Sequence, residues 1–222
     1  MNKIGLLTIG QSPRSDITPT FEEIFDKDDK DIEIVERGAL DSLNEAQLLS
    51  VIARKEKNIC VSRLHDGRSI IMSRRKLLPI LQNELSKLQQ EVDMVIVLCT
   101  EDWPTLKSEK PVFYPNRIVT QAISAMKDHP KIGLIIPLEE QRRGVLKKWE
   151  CVSEDITVAV ASPYDYGNFE EAARYLKDYR VDIIILDCMG YNEEHRQFVR
   201  KESGILTILP RTLVARIVLE CL

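Results

Sequence analysis

The sequence predicts an α/β protein built from two pseudo-symmetric, Rossmann-like lobes with mainly parallel sheets and a cleft between the lobes. Short apolar runs of strand length alternate with longer amphipathic segments, which is the pattern of repeated βα units. The stretch VDMVIVLCTE at 92–101 is answered by VDIIILDCMG at 181–190, aligning Val92 with Val181, Asp93 with Asp182 and Cys99 with Cys188. KIGLLTIG at 3–10 is likewise answered by KIGLIIPL at 131–138 in its first four residues.

Strands are expected at 3–9, 31–37, 92–98, 131–137, 155–161, 181–186 and 205–209, mostly the continuous Val/Ile/Leu runs of buried parallel strands. Helices are expected at about 15–26, 73–90, 115–128, 138–150, 168–179, 193–202 and 211–221. The segment GQSPRSD, 10–16, leads from the first strand into the first helix, and Ser12 or Ser15 can supply its cap. NICVSRLHDGRSIIMS, 58–73, has β-rich arms around Asp66-Gly67, a dipeptide suited to a tight type I′ turn, and would carry Arg63 and Arg68 on a projecting ribbon. Lys3 and Cys99 are 96 residues apart while Lys131 and Cys188 are 57 apart, so the first half carries an insertion. The lobes are expected at 1–112, with the hairpin near 58–72, and 113–210.

With 44% hydrophobic and 30% charged residues and only 9 Gly and 10 Pro, the chain is neither disordered nor fibrous. A net charge of −4 gives no reason to expect nucleic acid. Residues 61–80 hold Arg63, Arg68, Arg74, Arg75 and Lys76 against Asp66, a local excess suited at most to a small anion. No apolar run reaches the roughly 18 residues of a spanning helix. The N-terminal run is too short for a signal-peptide core. Five cysteines, none in a CxxC pair and odd in number, read as reduced thiols of a cytoplasmic protein. No metal is expected, because no His/Cys cluster has ligand spacing, and no dinucleotide, because GxGxxG is absent after the first strand.

Ligands of open parallel sheets bind beyond the carboxyl ends of strands, where Cys99 and Cys188 both fall. If the lobes face each other, two thiols can approach one carbon from opposite sides, the arrangement of a racemase or epimerase. Burial in the core is the competing role, since free cysteine packs readily at a strand end. A free thiol titrates near 8.5, and reaching about 7 needs roughly 2 kcal/mol, more than the 0.3–1 kcal/mol of one exposed helix N-terminus. Glu101 and Asp102 after Cys99, and Asp187 before Cys188, oppose ionisation wherever they lie close. Arg14 and the amides around Gln11 and Ser12 are candidates to hold an anion. His195, in the first turn of the helix after Cys188, is read as either a pocket group or a surface residue.

Together IGLLTIGQSPRSDITP, SRLHDGRSIIMSRRK, YPNRI, and LDCMGYNEEHR followed by TLVAR resemble the AroM protein family across essentially the whole chain. That family is similar to the aspartate/glutamate racemase superfamily, which implies two α/β lobes, an active-site cleft between them and a C-terminal helix, here 211–222, returning to the first lobe. Cys99-Thr100 resembles the superfamily's first catalytic cysteine and its hydrogen-bonding neighbour, and Cys188 the second. Met189-Gly190 stands where racemases carry Thr-His, and Gln11-Ser12 where they carry Asp-Ser. The expected function is cofactor-independent acid/base chemistry on a small carboxylic acid: racemisation, isomerisation or decarboxylation. Cys99 and Cys188 would be catalytic, with Gln11, Ser12, Arg14, Thr100, Met189, Gly190 and His195 around the substrate. The alternative is a non-catalytic module that binds a small anion and is linked to aromatic biosynthesis. Homodimerisation is left open.

Overall fold

The protein is described from a computed structural model covering residues 2–27, 31–54, 56, 58–126, 129–164 and 168–222. It divides into two compact units, Met1–Pro115 with Ala215–Leu222, and Asn116–Val214. The first unit runs β1 (Asn2–Thr8), α1 (Thr18–Asp26), β2 (Ile32–Gly38), α2 (Glu45–Val51), β3 (Ile59–Arg63), β4 (Ser69–Ser73), α3 (Arg74–Leu88), β5 (Met94–Leu98) and β6 (Val112–Phe113). After α4 (Pro115–Ser124) the second unit continues with β7 (Ile132–Ile136), α5 (Arg142–Trp149), β8 (Ile156–Val160), α6 (Phe169–Asp178), β9 (Ile183–Leu186), α7 (Glu193–Ser203) and β10 (Leu206–Ile208). The helix α8 (Pro210–Leu219) begins in the second unit and ends in the first.

Both main sheets are parallel, in the orders β2-β1-β5-β6 and β8-β7-β9-β10, which correspond strand for strand. The register repeats as well: Ile4 pairs with Met94 as Ile132 pairs with Ile183, and Leu7 with Val97 as Ile135 with Leu186. The duplicated residues account for this. Asp93 accepts from the Lys3 amide at 2.9 Å and returns its own amide to the Lys3 carbonyl at 2.8 Å. Asp182 does the same with Lys131, both bonds at 2.8 Å. Each pair fixes where two central strands begin and so prevents the one-residue slip that would turn a strand inside out. The duplicated glycines admit a helix at close range. A Cβ on Gly5 would lie 2.9 Å from Leu88, and one on Gly133 2.9 Å from Val181 and 3.2 Å from Leu176.

Each unit has its own core. In the first, Leu7, Val95 and Val97 of the sheet meet Leu77, Leu81, Leu85 and Leu88 of α3, with Cys60 and Met72 of the hairpin packed in. In the second, Ile135, Ile184 and Leu186 meet Ala172, Ala173 and Leu176 of α6 and Val199 of α7. The left-handed Gly204, φ 73°, closes α7 by donating its amide to the Arg200 carbonyl.

Three local expectations are corrected. The β3–β4 loop is a three-residue type I turn with a left-handed glycine, not a two-residue type I′ turn. Gly67 donates to the Leu64 carbonyl at 3.0 Å and Leu64 to the Arg68 carbonyl at 2.9 Å, and Gly67, at φ 82°, takes positive φ while Asp66 does not. Helix α1 starts at Thr18 with Ile17 as an N-cap that makes no side-chain bond, so neither Ser12 nor Ser15 caps it. The short α2 was not expected, although Asn44 and Gln47 form a reciprocal capping box at its start.

The hairpin also lies against the loop after β1, rather than standing clear of it. Gln11 donates its amide to the Arg63 carbonyl at 3.1 Å, and a Cβ at Gly10 would fall 2.3 Å from Ser62 Oγ and 2.5 Å from the Arg63 carbonyl. Gly10→Ala is therefore expected to cost about 1–3 kcal/mol by overpacking. Faster amide exchange at Gln11 and a lower denaturation midpoint would register it.

Candidate active site

The two cysteines occupy equivalent places. Cys99 follows β5 and Cys188 follows β9, each the third strand of its sheet order. The Cys99 amide donates to the Val97 carbonyl at 2.7 Å, and the Cys188 amide to the Leu186 carbonyl at 2.7 Å. Leu98 and Asp187 thus sit at the centres of matching inverse γ-turns that end the strands and lead the chain off the ladder. Cys99 is buried and Cys188 partly so, and all five cysteines are free thiols. The Gly190 amide donates to Cys188 Sγ at 3.4 Å. A Cβ at Gly190 would lie 2.8 Å from Tyr164 Oη and 3.1 Å from Pro163, so a larger residue there would need those side chains to shift. Pro163 and Tyr164, which follow β8, therefore lie against the turn that holds Cys188. Thr100 and Met189, the residues that follow the two cysteines, are both buried.

Glu101 and Asp187 are each met by a cation of their own unit. Asp187 accepts from Lys148 Nζ at 2.7 and 2.6 Å and from Trp149 Nε1 at 2.9 Å, in a pair only 6% and 2% exposed. Glu101 lies 3.5 Å from Arg74 Nη1. Burial first, and then the nearby Cys188 and Asp187, push the Tyr191 hydroxyl well above its ordinary range. Tyr191 consequently stays a neutral donor, to the Ala161 carbonyl at 2.7 Å.

The residues expected to receive an anion after β1 are engaged with protein partners. Arg14, 5% exposed, forms a bidentate pair with Asp16 at 2.8 and 2.8 Å and donates to Thr8 Oγ1 and Ser62 Oγ at 3.1 and 3.3 Å. Its amide donates to Glu36 at 2.6 Å. Asp41 takes the Ser12 amide at 2.8 Å, the Ser12 hydroxyl at 2.6 Å and the Gly38 amide at 2.7 Å. Gln11 gives its amide to Arg63 and accepts from the His65 amide at 2.8 Å. A carboxylate of the chain thus occupies the donors that a substrate carboxylate would need. Arg63 and Arg68 bind their own turn, at the Gly67 carbonyl and the Asp66 carboxylate.

His195 is buried rather than on the surface, stacked on Phe169 at 4.7 Å between ring centroids. It stands where a capping box usually has Glu or Gln. Its Nδ1 accepts from the Asn192 amide at 3.0 Å, and Asn192 Oδ1 accepts from the His195 amide at 3.1 Å. Burial first, and then the Arg211 charge, pull it down from 6.5 to about 4, against the opposing effect of the Pro163 backbone. It is neutral at pH 7. Because the unfolded chain binds this proton more readily, stability should fall as pH drops from about 6.5 to about 4, by on the order of 2 kcal/mol after solvent screening. His195→Gln, which supplies the cap as Gln47 does in α2, should flatten that slope in denaturation midpoints measured between pH 4 and 7.

Lys148, Asp41 and Tyr164 carried no signal in the sequence, and Arg74 stood there only as one charge of the basic run at 61–80. A strand-end acid preceding Cys188 was a signal for a buried counterion, but its source on α5 was not visible. Among the described residues no group of three or more His, Cys, Asp or Glu side chains gathers to hold a metal, and no helix is long and apolar enough to cross a membrane.

Solved structures place this architecture among racemase-like α/β proteins. Allantoin racemase from Klebsiella pneumoniae matches over 100% of this chain and 87% of its own, with TM-score 0.63 and 14% identity. Glutamate racemase from Aquifex pyrophilus matches over 99% and 84%, with TM-score 0.61 and 16% identity. Maleate cis-trans isomerase from Nocardia farcinica, bound to TRIS, matches over 99% and 92%, with TM-score 0.61 and 12% identity. No curated protein matches the sequence. Residues 4–222 match the AroM protein family, and the chain belongs to it.

Proposed function

We propose that this AroM protein is a cofactor-independent enzyme that moves a proton at the carbon beside the carboxyl group of a small carboxylic acid, with Cys99 and Cys188 as its acid/base pair. The observation that carries this reading is the repetition of one device, a cysteine released from a strand end by an inverse γ-turn, at equivalent places in both units. The fold neighbours named as racemases and as a cis-trans isomerase support it at the level of fold. One thiolate takes the proton from carbon and becomes a thiol. The electron pair left behind is held as an enolate-like charge on the carboxylate, and the second thiol returns a proton and becomes the thiolate. Thr100 and the Met189-Gly190 turn hold the carboxylate in this proposal, since the donors after β1 serve Asp41, Arg63 and Asp16. His195, neutral and packed, shapes the wall beside Cys188 without carrying charge.

Deuterium wash-in tests the reading. The protein is incubated in heavy water with amino, hydroxy and dicarboxylic acids, including shikimate-pathway acids, and exchange is followed by NMR for wild type and Cys188→Ala. Exchange that wild type shows with both enantiomers is expected to be lost for one of them in the variant. A protein that binds one of these acids, as seen by line broadening, yet exchanges none of them is a binding module instead.

A further inference from the structure

Arg74, the first residue of α3, makes three contacts that converge on the loop after Cys99. Its Nη1 lies 3.5 Å from Glu101 Oε2, with the two side chains only 14% and 11% exposed. Its Nη2 donates to the Asp102 carbonyl, and its guanidinium covers Trp103 at 5.1 Å. Nη1 also donates to Asn58 Oδ1 at 2.9 Å, which fixes the guanidinium from the hairpin side. Lys148 meets Asp187 beside Cys188 in the same manner. Two strand-end cysteines thus each have an acid within two residues, and two unrelated elements, α3 and α5, each deliver a cation to it.

Cys60 from β3, Arg74 from α3 and Glu101 from the loop after Cys99 lie in its surroundings. Burial first, then Cys99 and Glu101, push the Cys60 thiol up, while Arg74 acts in the opposite sense, so these four groups share one electrostatic neighbourhood. Charges held in a partly buried surrounding bear strongly on whether a thiolate forms.

We propose that Arg74 is a positioning residue for Cys99: it neutralises Glu101 and clamps residues 101–103, so that the Cys99 thiol loses its proton without an uncompensated carboxylate beside it. The inference rests on Cys99 being an acid/base group. It deepens that reading by naming what lets a mostly buried thiol ionise.

Cysteine Cβ NMR titration of the full chain, with the five signals assigned by substitution, reads the proposal without any substrate. Arg74→Met should raise the Cys99 midpoint enough to cut its thiolate fraction at pH 7 about three- to tenfold, and Arg74→Met/Glu101→Gln should restore it. Glu101→Gln alone should lower the midpoint, and the Cys188 midpoint should stay in place throughout. If Arg74→Met does not fold, Glu101→Gln carries the test and Arg74→Lys, which keeps the charge, should hold the midpoint near wild type. A Cys99 midpoint unmoved by Glu101→Gln, or a double variant that stays where Arg74→Met puts it, overturns the proposal. Because the readout is a thiol rather than turnover, failed wash-in would remove the enzyme reading and leave this titration result standing.

Discussion

Cys99→Ala and Cys188→Ala are each expected to abolish inversion of the substrate while leaving residual proton exchange on opposite enantiomers. In a two-base mechanism each thiol serves one face of the carbon. Removing Cys99 leaves Cys188 able to take and return a proton on its own face, giving exchange without inversion, and removing Cys188 gives the mirror result. Positioned acid/base groups contribute about 10²–10⁴-fold, so inversion should fall by at least that factor in either variant. The measurement is deuterium incorporation into each separate enantiomer, combined with optical rotation. Loss of exchange from the same enantiomer in both variants would point to one base and a solvent proton. Cysteine-to-serine variants should behave like the alanine ones, because a serine hydroxyl is far too weakly acidic to replace a thiol.

Lys148→Met should be the most destabilising single change of a charged residue. It leaves the 2%-exposed Asp187 carboxylate without the ammonium that donates at 2.6 and 2.7 Å. Breaking a buried ion pair from one side costs about 3–5 kcal/mol, because the remaining charge is stranded in a poorly polarisable surrounding. The repeat suggests the remedy. The position equivalent to Asp187 is Leu98 in the first half, where the same γ-turn forms around an apolar side chain. Lys148→Met/Asp187→Leu should therefore recover most of the loss in urea denaturation, keeping a deficit of about 1–2 kcal/mol for the Trp149 indole N–H that loses its acceptor. A double variant as unstable as Lys148→Met alone would show that Asp187 is needed for packing rather than for charge balance.

Where two parts of the chain carry the same physical task, the sequence made the fold readable. The Lys-Ile-Gly and Val-Asp repeats mark strand starts locked by an Asp and glycines that admit a helix, and both tasks are visible as letters. Elements too short to show a period were not readable. The seven residues of α2 complete barely two turns, and the two residues of β6 hold no alternation. At the site, the cysteines were legible because strand ends follow from apolar runs. The engagement of Arg14 was not, since its acceptors lie as far away in sequence as Ser62 and only the folded chain brings them together. Arg74 read as one charge in a basic run until its partner Glu101, 27 residues on, came beside it.

The path of α8 has a consequence for biosynthesis. Residues 116–214 form an uninterrupted unit, whereas the first unit takes Ala215–Leu222 as well as Met1–Pro115. A ribosome therefore delivers all the chain the second unit needs before it delivers the last piece of the first, including the buried Ala215 and Val218. The N-terminal unit, though made first, must wait with that part of its core open until synthesis passes residue 218, so the order of translation and the order of completion are reversed.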